Sequence, residues 1–278
     1  MTVAALLEVR DLTVQFFLKR GNFKAVDRVS FAIDRSETFG LVGESGCGKT
    51  LTALSLLRLI PSPPARITGG DIFFEGKNIL SLSSGEIRRL RGASIAMIFQ
   101  EPMTSLNPLF TIGHQISAGI RLHQGVGQKS ARTKTIELLE RVGIPSAGER
   151  FGHYPHQFSG GMRQRAMIAM ALSCHPSLLI ADEPTTALDV TVQSEVLALL
   201  DRLVADRRMA LIFVSHDLAV VSRMTDHAIV MRAGEAVERG SIAALLASPR
   251  HPYTAAFATS AREMEAGFTA ALARGQEE

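Results

Sequence analysis

The sequence lacks tryptophan, has only two cysteines among 278 residues, and contains no long uncharged apolar run. Because Cys47 and Cys174 cannot form a disulfide framework, the composition is typical of a protein from a reducing compartment. A membrane-spanning helix needs about 18–20 apolar residues, so the chain is predicted not to cross a membrane by itself. The first residues lack a basic segment followed by an apolar run, and no secretory signal is therefore predicted.

Positive charge is too sparse to define a partner. The net charge is +3, and the 30 Lys and Arg residues form no long run. A diffuse surplus of arginine explains this charge better than a nucleic-acid-binding face, so no nucleic-acid partner is predicted. With 46% hydrophobic and 21% charged residues, the composition is that of a soluble globular protein.

Strand-like and helix-like segments alternate along the chain, which predicts an α/β fold with a mostly parallel sheet. The predicted strands cover residues 6–17, 25–33, 37–42, 71–75, 94–99, 178–181, 210–214, 227–231 and 236–238. The polar stretch 19–24 is expected to separate the first two strands. Helical periodicity dominates from about residue 101 to residue 175, which indicates a helical insertion.

Helix boundaries are marked by capping and proline signals. Helices are predicted over residues 50–60, 112–123, 130–142, 160–174, 191–206 and 218–224, with an amphipathic helical tail from Pro252 onward. Prolines after residue 60 are expected to end the first helix. Ser83 and Glu86 have the spacing of a capping box and predict the start of a further, basic helix.

A glycine-rich loop between a predicted strand and a predicted helix carries the first chemical motif, and it fits the phosphate-loop pattern G-x-x-x-x-G-K-S/T. Glycines let its N–H groups point at phosphate oxygens, and the helix N-terminus adds partial positive charge. We expect Lys49 to reach the β- and γ-phosphates and Thr50 to ligate Mg²⁺. Cys47 is interpreted as a small residue tolerated in the loop, with a redox switch as the alternative. The predicted nucleotide-binding residues are Gly43, Glu44, Ser45, Gly46, Cys47, Gly48, Lys49 and Thr50.

Two carboxylates, Asp182 and Glu183, follow the apolar segment Leu-Leu-Ile-Ala. Because adjacent strand residues face opposite ways, the two side chains cannot do the same work. Asp182 suits the Mg²⁺ shell, and Glu183 suits polarisation of an attacking water. The alternative is an ordinary strand end, which the accompanying phosphate loop disfavours.

Residues 158–165 read Phe-Ser-Gly-Gly-Met-Arg-Gln-Arg and precede a predicted helix. The backbone of Ser159, Gly160 and Gly161 would form a second anion site at that helix N-terminus, unless the segment is only a cap with a flexible turn. Taken in order, the phosphate loop, this octet and Asp182-Glu183 resemble the ATP-binding cassette (ABC) ATPases.

The resemblance implies an α/β phosphate-loop NTPase core with a mostly parallel sheet, an N-terminal antiparallel β subdomain and a helical insertion. It implies one cassette over 1–250, with a helical subdomain at about 101–175, followed by a tail over 251–278. Ser159, Gly160 and Gly161 would then contact ATP held by the phosphate loop of a second cassette in a head-to-tail pair.

Smaller signals receive roles from the same resemblance. Gln100 resembles the glutamine that lies near Mg²⁺ and the attacking water, and His216 resembles the switch histidine at the γ-phosphate. Asp189, in Ala-Leu-Asp, resembles the D-loop at the dimer interface. Phe16, or alternatively Phe17, is expected to stack on adenine; either could instead belong to the strand core.

Four further segments are similar to the peptide/nickel importer ATPases: residues 100–108, 154–162, 182–193 and 248–254. This resemblance implies an ATP-hydrolysing subunit of a di- or oligopeptide importer, with nickel or another solute as the alternative. Its implied partners are a second cassette, identical or related, two transmembrane permeases and, indirectly, an external solute-binding protein. Its implied location is peripheral, at the cytoplasmic face of the inner membrane. No cysteine follows Cys174, so the iron–sulfur centre of many members is not expected.

Other classes of nucleotide-binding protein explain less. ABC ATPases of DNA repair or translation need coiled-coil insertions, zinc-binding cysteines or two fused cassettes, and the sequence shows none of these. A phosphate-loop GTPase should carry Asn-Lys-x-Asp, which is absent, and neither a GTPase nor a small-molecule kinase explains residues 158–165. Residues 101–113, which contain Pro102 and Pro108, are expected to form an exposed loop that contacts a permease, or else an ordinary connector.

Overall fold

A computed structural model describes residues 5–186, 188–259 and 261. Its strands are β1 (Leu7–Leu18), β2 (Gly21–Ile33), β3 (Thr38–Val42), β4 (Ala65–Phe74), β5 (Lys77–Asn78), β6 (Ile95–Ile98), β7 (Leu178–Asp182), β8 (Ala210–Ser215), β9 (His227–Arg232) and β10 (Glu235–Ser241). Its helices are α1 (Lys49–Leu56), α2 (Ser84–Leu90), α3 (Pro102–Ser105), α4 (Ile112–Gln124), α5 (Gln128–Arg141), α6 (Ala147–Arg150), α7 (Gly160–Leu172), α8 (Val190–Arg207), α9 (Leu218–Met224) and α10 (Ile242–Ala247).

These elements form two compact units. The first contains the described residues up to Ser81 and from Ile212 onward, and the second runs from Leu82 to Leu211. The predicted division at residue 250, and the predicted helical subdomain over 101–175, follow different boundaries and stay predictions. Helical structure is present at the start of the predicted tail, over residues 252–259.

In the first unit an antiparallel sheet has the strand order β2-β1-β4-β5. Leu7, Leu12 and Val14 on β1 are fully buried, which explains the alternating pattern of that strand. The expected separation of the first two strands by residues 19–24 is wrong, because β2 already starts at Gly21 and the two strands pair as a tight hairpin. Backbone pairing satisfies these polar residues without any burial of their side chains.

The same unit contains the strand order β10-β9-β3-β8. β3 pairs parallel with β9, and β10 pairs antiparallel with β9. Leu41, Ile229 and Val230 are fully buried, as expected for a sheet covered on both faces. Helix α1 ends at Leu56, four residues before its predicted end, because Arg58 adopts a left-handed conformation with φ of 51°.

The second unit combines the parallel pair β6–β7 with helices α2 to α8. Ile95, Leu178 and Ile180 are fully buried in this pair. The predicted capping box is present: the Ser83 side chain accepts the Glu86 N–H, and the Glu86 carboxylate accepts the Ser83 N–H. The helical character predicted for this part of the chain is therefore found in the structure.

The expectation of a loop after Gln100 is partly wrong. Residues 102–105 form the short helix α3, and proline is tolerated in a first helical turn because the N–H it lacks has no partner there. Residues 107–110 form an exposed loop shaped by Gln115, whose amide accepts the Asn107 N–H and donates to the carbonyls of Asn107 and Phe110. Leu106 is buried, and α4 begins at Ile112. The Leu109 side chain is 79% exposed and so is largely unburied by the residues that the structure describes.

Two glycines of α4 give a matched test of the packing. A Cβ on Gly113 would overlap the Phe151 ring at Cγ, where the ring joins the side chain and cannot easily move away. A Cβ on Gly119 would meet only the Ser173 hydroxyl, at 3.8 Å. We expect Gly113→Ala to lower the free energy of unfolding by about 1–3 kcal/mol through overpacking. Gly119→Ala should raise it by about 0.5–1 kcal/mol because alanine favours the helix. Denaturant titration measures both, and equal effects of the two variants would contradict this packing.

Candidate active site

The glycine-rich loop joins β3 to α1 in a conformation that requires glycine. Gly43, Gly46 and Gly48 have φ values of 151°, 80° and 105°, which side-chain-bearing residues rarely adopt. A Cβ on Gly43 would overlap the Met231 carbonyl oxygen, and one on Gly48 would lie 2.5 Å from the Ala25 carbonyl oxygen. The loop is therefore packed tightly against its neighbours in the first unit, and the curl predicted for phosphate binding is present.

Lys49 is folded back into this loop. The residue is 4% exposed, and its ammonium donates hydrogen bonds to the carbonyls of Gly43, at 2.7 Å, and Glu44, at 2.9 Å. Both acceptors are neutral, so the buried charge has no carboxylate among these hydrogen-bond partners. A buried cation beside a curled backbone fits a phosphate chain, which would supply the missing negative charge.

The structure also bears on the two interpretations of Cys47. Its thiol is buried, and this burial raises the pKa of Cys47 more than the nearby Lys49 charge lowers it. A raised pKa keeps the thiol protonated and unreactive. This agrees with a small residue tolerated in the loop and disfavours a redox switch.

In the second unit, β7 ends at Asp182 and delivers Glu183 into a strained turn. Asp182 and Glu183 are 2% and 8% exposed, and Glu183 has a φ of 44°. The Glu183 carboxylate accepts hydrogen bonds from the Gln100 amide, at 3.2 Å, and from the Thr186 hydroxyl, at 3.0 Å. A positive φ outside glycine costs of order 1 kcal/mol, so the backbone holds this carboxylate in place at a measurable cost.

This cluster unites two predicted residues and adds one that sequence reasoning missed. Gln100 and Glu183 are separated by 83 positions and touch directly. Thr186 was not predicted; the only local signal is its position three residues after Glu183, within one turn.

The second predicted anion site lies where α7 and α8 begin. Ser159 caps α7 by accepting the Met162 N–H, and Asp189 caps α8 by accepting the Val192 N–H. A Cβ on Gly161 would lie 2.7 Å from the Val192 side chain, so the two helix starts pack against each other. Ser159, Gly160 and Asp189 are exposed. Ala187 lies outside the described residues.

The remaining predicted residues belong to the first unit. His216 is exposed directly after β8, where Asp217 caps α9 by accepting the Ala219 N–H at 2.8 Å. Phe16 stacks on Phe23 with ring centroids 5.1 Å apart and planes 5° apart. Phe17 is 43% exposed. The choice between Phe16 and Phe17 for adenine stays a prediction.

The predicted metal ligands are oxygen donors of mixed type. Within the described part of the chain, no three His, Cys, Asp or Glu side chains come together as a metal cluster. The predicted ligands Thr50, Gln100 and Asp182 offer a hydroxyl, an amide oxygen and a carboxylate. Such donors fit Mg²⁺, which takes one or two carboxylates and completes its shell with water and phosphate oxygens.

Comparison with known proteins identifies the family to which these sequence motifs belong. The family model described as "ABC transporter" matches residues 26–186, more than half of the chain. This chain belongs to the ABC transporter family. The order of motifs in the sequence predicted this family, and the prediction is confirmed.

Two curated relatives of this ABC transporter chain cover nearly all of it. The oligopeptide transport ATP-binding protein OppD of Bacillus subtilis is 48% identical over 91% of this chain and 70% of its own length. The dipeptide transport ATP-binding protein DppD of Haemophilus influenzae is 48% identical over 95% of this chain and 79% of its own length. The resemblance to the peptide importer ATPases is thus confirmed.

The fold is confirmed by a solved structure of the ATP-binding cassette MJ0796, a dimer bound to ADP and phosphate. It superposes with a TM-score of 0.76 at 24% identity, over 85% of this chain and 98% of that one. The predicted α/β cassette is correct, and as a member of this family the chain is an ATP-binding ATPase. Among its described helices, none has the length and apolar character needed to span a membrane.

Proposed function

We propose that this ABC transporter chain is the ATP-hydrolysing subunit that powers import of di- or oligopeptides through a membrane transporter. The observation that carries the proposal is 48% identity, over more than nine-tenths of the chain, to proteins named for oligopeptide and for dipeptide transport. These names favour peptides over the nickel alternative.

The phosphate chain of ATP would lie on the curled loop of residues 43–50. Lys49 already has its ammonium inside the loop and would donate to the β- and γ-phosphates. Thr50, Asp182 and Gln100 are the proposed ligands of Mg²⁺, which when bound neutralises charge on the phosphate oxygens. Phe16 is the proposed platform for adenine.

Glu183 is the proposed general base. Its carboxylate would accept a proton from water while the water oxygen bonds to the γ-phosphorus and the bond to the ADP oxygen breaks. The hydrogen bonds from Gln100 and Thr186 fix the direction of the carboxylate before the water arrives. His216 is proposed to contact the γ-phosphate.

A second cassette would complete each site. Ser159, Gly160 and Asp189 are exposed at neighbouring helix starts, where unpaired N–H groups and the helix dipole favour an anion. We place them against ATP on the phosphate loop of a partner cassette, head-to-tail, with Gly161 supporting the turn. The other proposed partners are two permeases, contacted through residues 101–113, and an external solute-binding protein, with this chain at the cytoplasmic face of the membrane.

Replacement of the proposed base separates binding from chemistry. Glu183→Gln keeps the size and burial of the side chain but cannot accept the proton, so turnover should fall about 10²–10⁴-fold while ATP still binds. Glu195→Gln is the control, because Glu195 lies on α8, is exposed and forms an ion pair with Arg165 of α7. The measurements are phosphate release by the assembled transporter and ATP binding by calorimetry. Near-normal hydrolysis by Glu183→Gln would remove Glu183 from this role.

A carboxylate at the second anion site tests whether it acts on the partner. A Cβ on Gly160 meets only Leu188, at 3.8 Å, so Gly160→Asp should fold normally. Its charge would face the neighbour's γ-phosphate, and hydrolysis should fall at least about tenfold, while the isolated subunit binds ATP as before. Gly148→Asp, also on the second unit and in open space, should leave both activities intact. Loss of ATP binding by the isolated Gly160→Asp subunit would show that the residue acts within its own chain.

The solute is tested in the assembled transporter. With permeases and the solute-binding protein in liposomes, ATP hydrolysis should increase when the binding protein carries a di- or oligopeptide. Nickel-loaded binding protein is the matched comparison. Stimulation by nickel and not by peptides would overturn the proposed solute without affecting the assignment of the ATPase.

A further inference from the structure

A carboxylate of β10, Glu238, hydrogen-bonds to the segment that follows α10. Glu238 accepts the N–H groups of Arg250 and His251, both at 2.9 Å. Burial raises the pKa of Glu238, but the hydrogen bonds from these two N–H groups lower it by more, so the net pKa is below its usual value and the carboxylate is ionised. The His251 ring nitrogen Nδ1 in turn accepts the Tyr253 N–H at 3.1 Å. This chain of contacts fixes the backbone from which Tyr253 projects.

The Tyr253 ring is held on two sides. The Arg232 guanidinium lies 5.0 Å from the ring centroid, and Phe257 stacks at 5.7 Å. Burial raises the pKa of Tyr253, which keeps the hydroxyl protonated at neutral pH. The hydroxyl oxygen accepts the backbone N–H of Glu44 at 3.1 Å. A residue 209 positions away thus touches the phosphate loop directly.

The Glu44 N–H belongs to the same peptide group as the Gly43 carbonyl. A peptide group is planar and rigid, so its N–H and C=O turn together. Tyr253 holds one end of this group, and the Lys49 ammonium holds the other end, at 2.7 Å from the Gly43 oxygen. The next carbonyl, of Glu44, accepts both Lys49 and the Cys47 N–H. Rotation of the peptide group would therefore move the Gly43 carbonyl and shift the Lys49 ammonium that is hydrogen-bonded to it.

We propose that Tyr253 is a positioning residue for nucleotide binding, which orients the Gly43–Glu44 peptide and through it the Lys49 ammonium. The inference rests on the proposed function, since it assigns Lys49 to the phosphates of ATP. The loop carbonyls accept two hydrogen bonds from the ammonium, and the Cys47 sulfur, a weak acceptor, lies 3.9 Å away. A phosphate oxygen would be a stronger acceptor than this sulfur, and the ammonium would meet it in the right direction only while the two carbonyls keep theirs. The proposed base and its hydrogen-bond donors belong to the second unit. Tyr253 should therefore affect ATP affinity and leave the catalytic rate at saturation unchanged.

The test removes only the hydroxyl. Tyr253→Phe keeps the ring between Arg232 and Phe257, and ATP affinity of the full chain, measured by calorimetry, should fall about two- to fivefold, the loss expected for one water-accessible hydrogen bond. In the assembled transporter KM for ATP should rise by the same factor, while kcat stays within the error of the wild type. Tyr154→Phe is the matched control, because Tyr154 is 40% exposed and is the other tyrosine of the chain. Lys49→Ala marks the larger loss expected when the cation itself is removed.

A spectroscopic readout distinguishes positioning from a general effect on folding. With two tyrosines, 3-fluorotyrosine labelling gives two ¹⁹F resonances, which the two Tyr→Phe variants assign. The Tyr253 resonance should shift on ATP titration with the dissociation constant found by calorimetry. Wild-type affinity in Tyr253→Phe, an unmoved Tyr253 resonance at saturating ATP, or a fall in kcat with unchanged KM would each overturn the inference. Failure of the wild-type chain to bind ATP would instead overturn the proposed function.

Discussion

The buried Lys49 ammonium is the group on which the geometry of the phosphate loop depends. Lys49 is buried as a residue, so its charge needs several acceptors, and the loop supplies two carbonyls within hydrogen-bonding distance. Those carbonyls converge only because the loop glycines adopt positive φ values that other residues avoid. β9 and the segment around Tyr253 then pack on the outside of the same loop. The glycines of the loop and its backbone conformation thus both serve to give the buried Lys49 charge its hydrogen-bond acceptors.

The second unit meets a different requirement, the control of a carboxylate. Glu183 follows a fully buried strand, and its positive φ re-aims the chain just where the strand ends. Gln100 and Thr186 donate to the carboxylate from two different segments, so its direction is set by the fold and does not need a ligand. Strain at Glu183 is tolerated here because the parallel pair β6–β7 fixes the backbone that leads into it.

Local chemistry explains which features could be predicted from the sequence. The phosphate loop, the Ser83–Glu86 capping box and the start of α7 after Ser159 depend on residues close together in the chain, and each was predicted. The hairpin through residues 21–24 was missed because its pairing satisfies the backbone whatever the side chains are. Thr186 and Tyr253 were missed for another reason: their importance comes from contacts to Glu183 and Glu44 that only the folded chain creates.

The contact between Gly161 and Val192 joins the start of α7, which carries Ser159, to the start of α8, which carries Asp189. Since the start of α7 packs on the start of α8 with no room for even a methyl group, Ser159 and Asp189 are carried on one rigid block. Because the two residues keep a fixed spacing, a proposed partner that contacts one of them would find the other at a set distance. In the proposed head-to-tail pair, a partner cassette would therefore meet both helix starts in one fixed geometry.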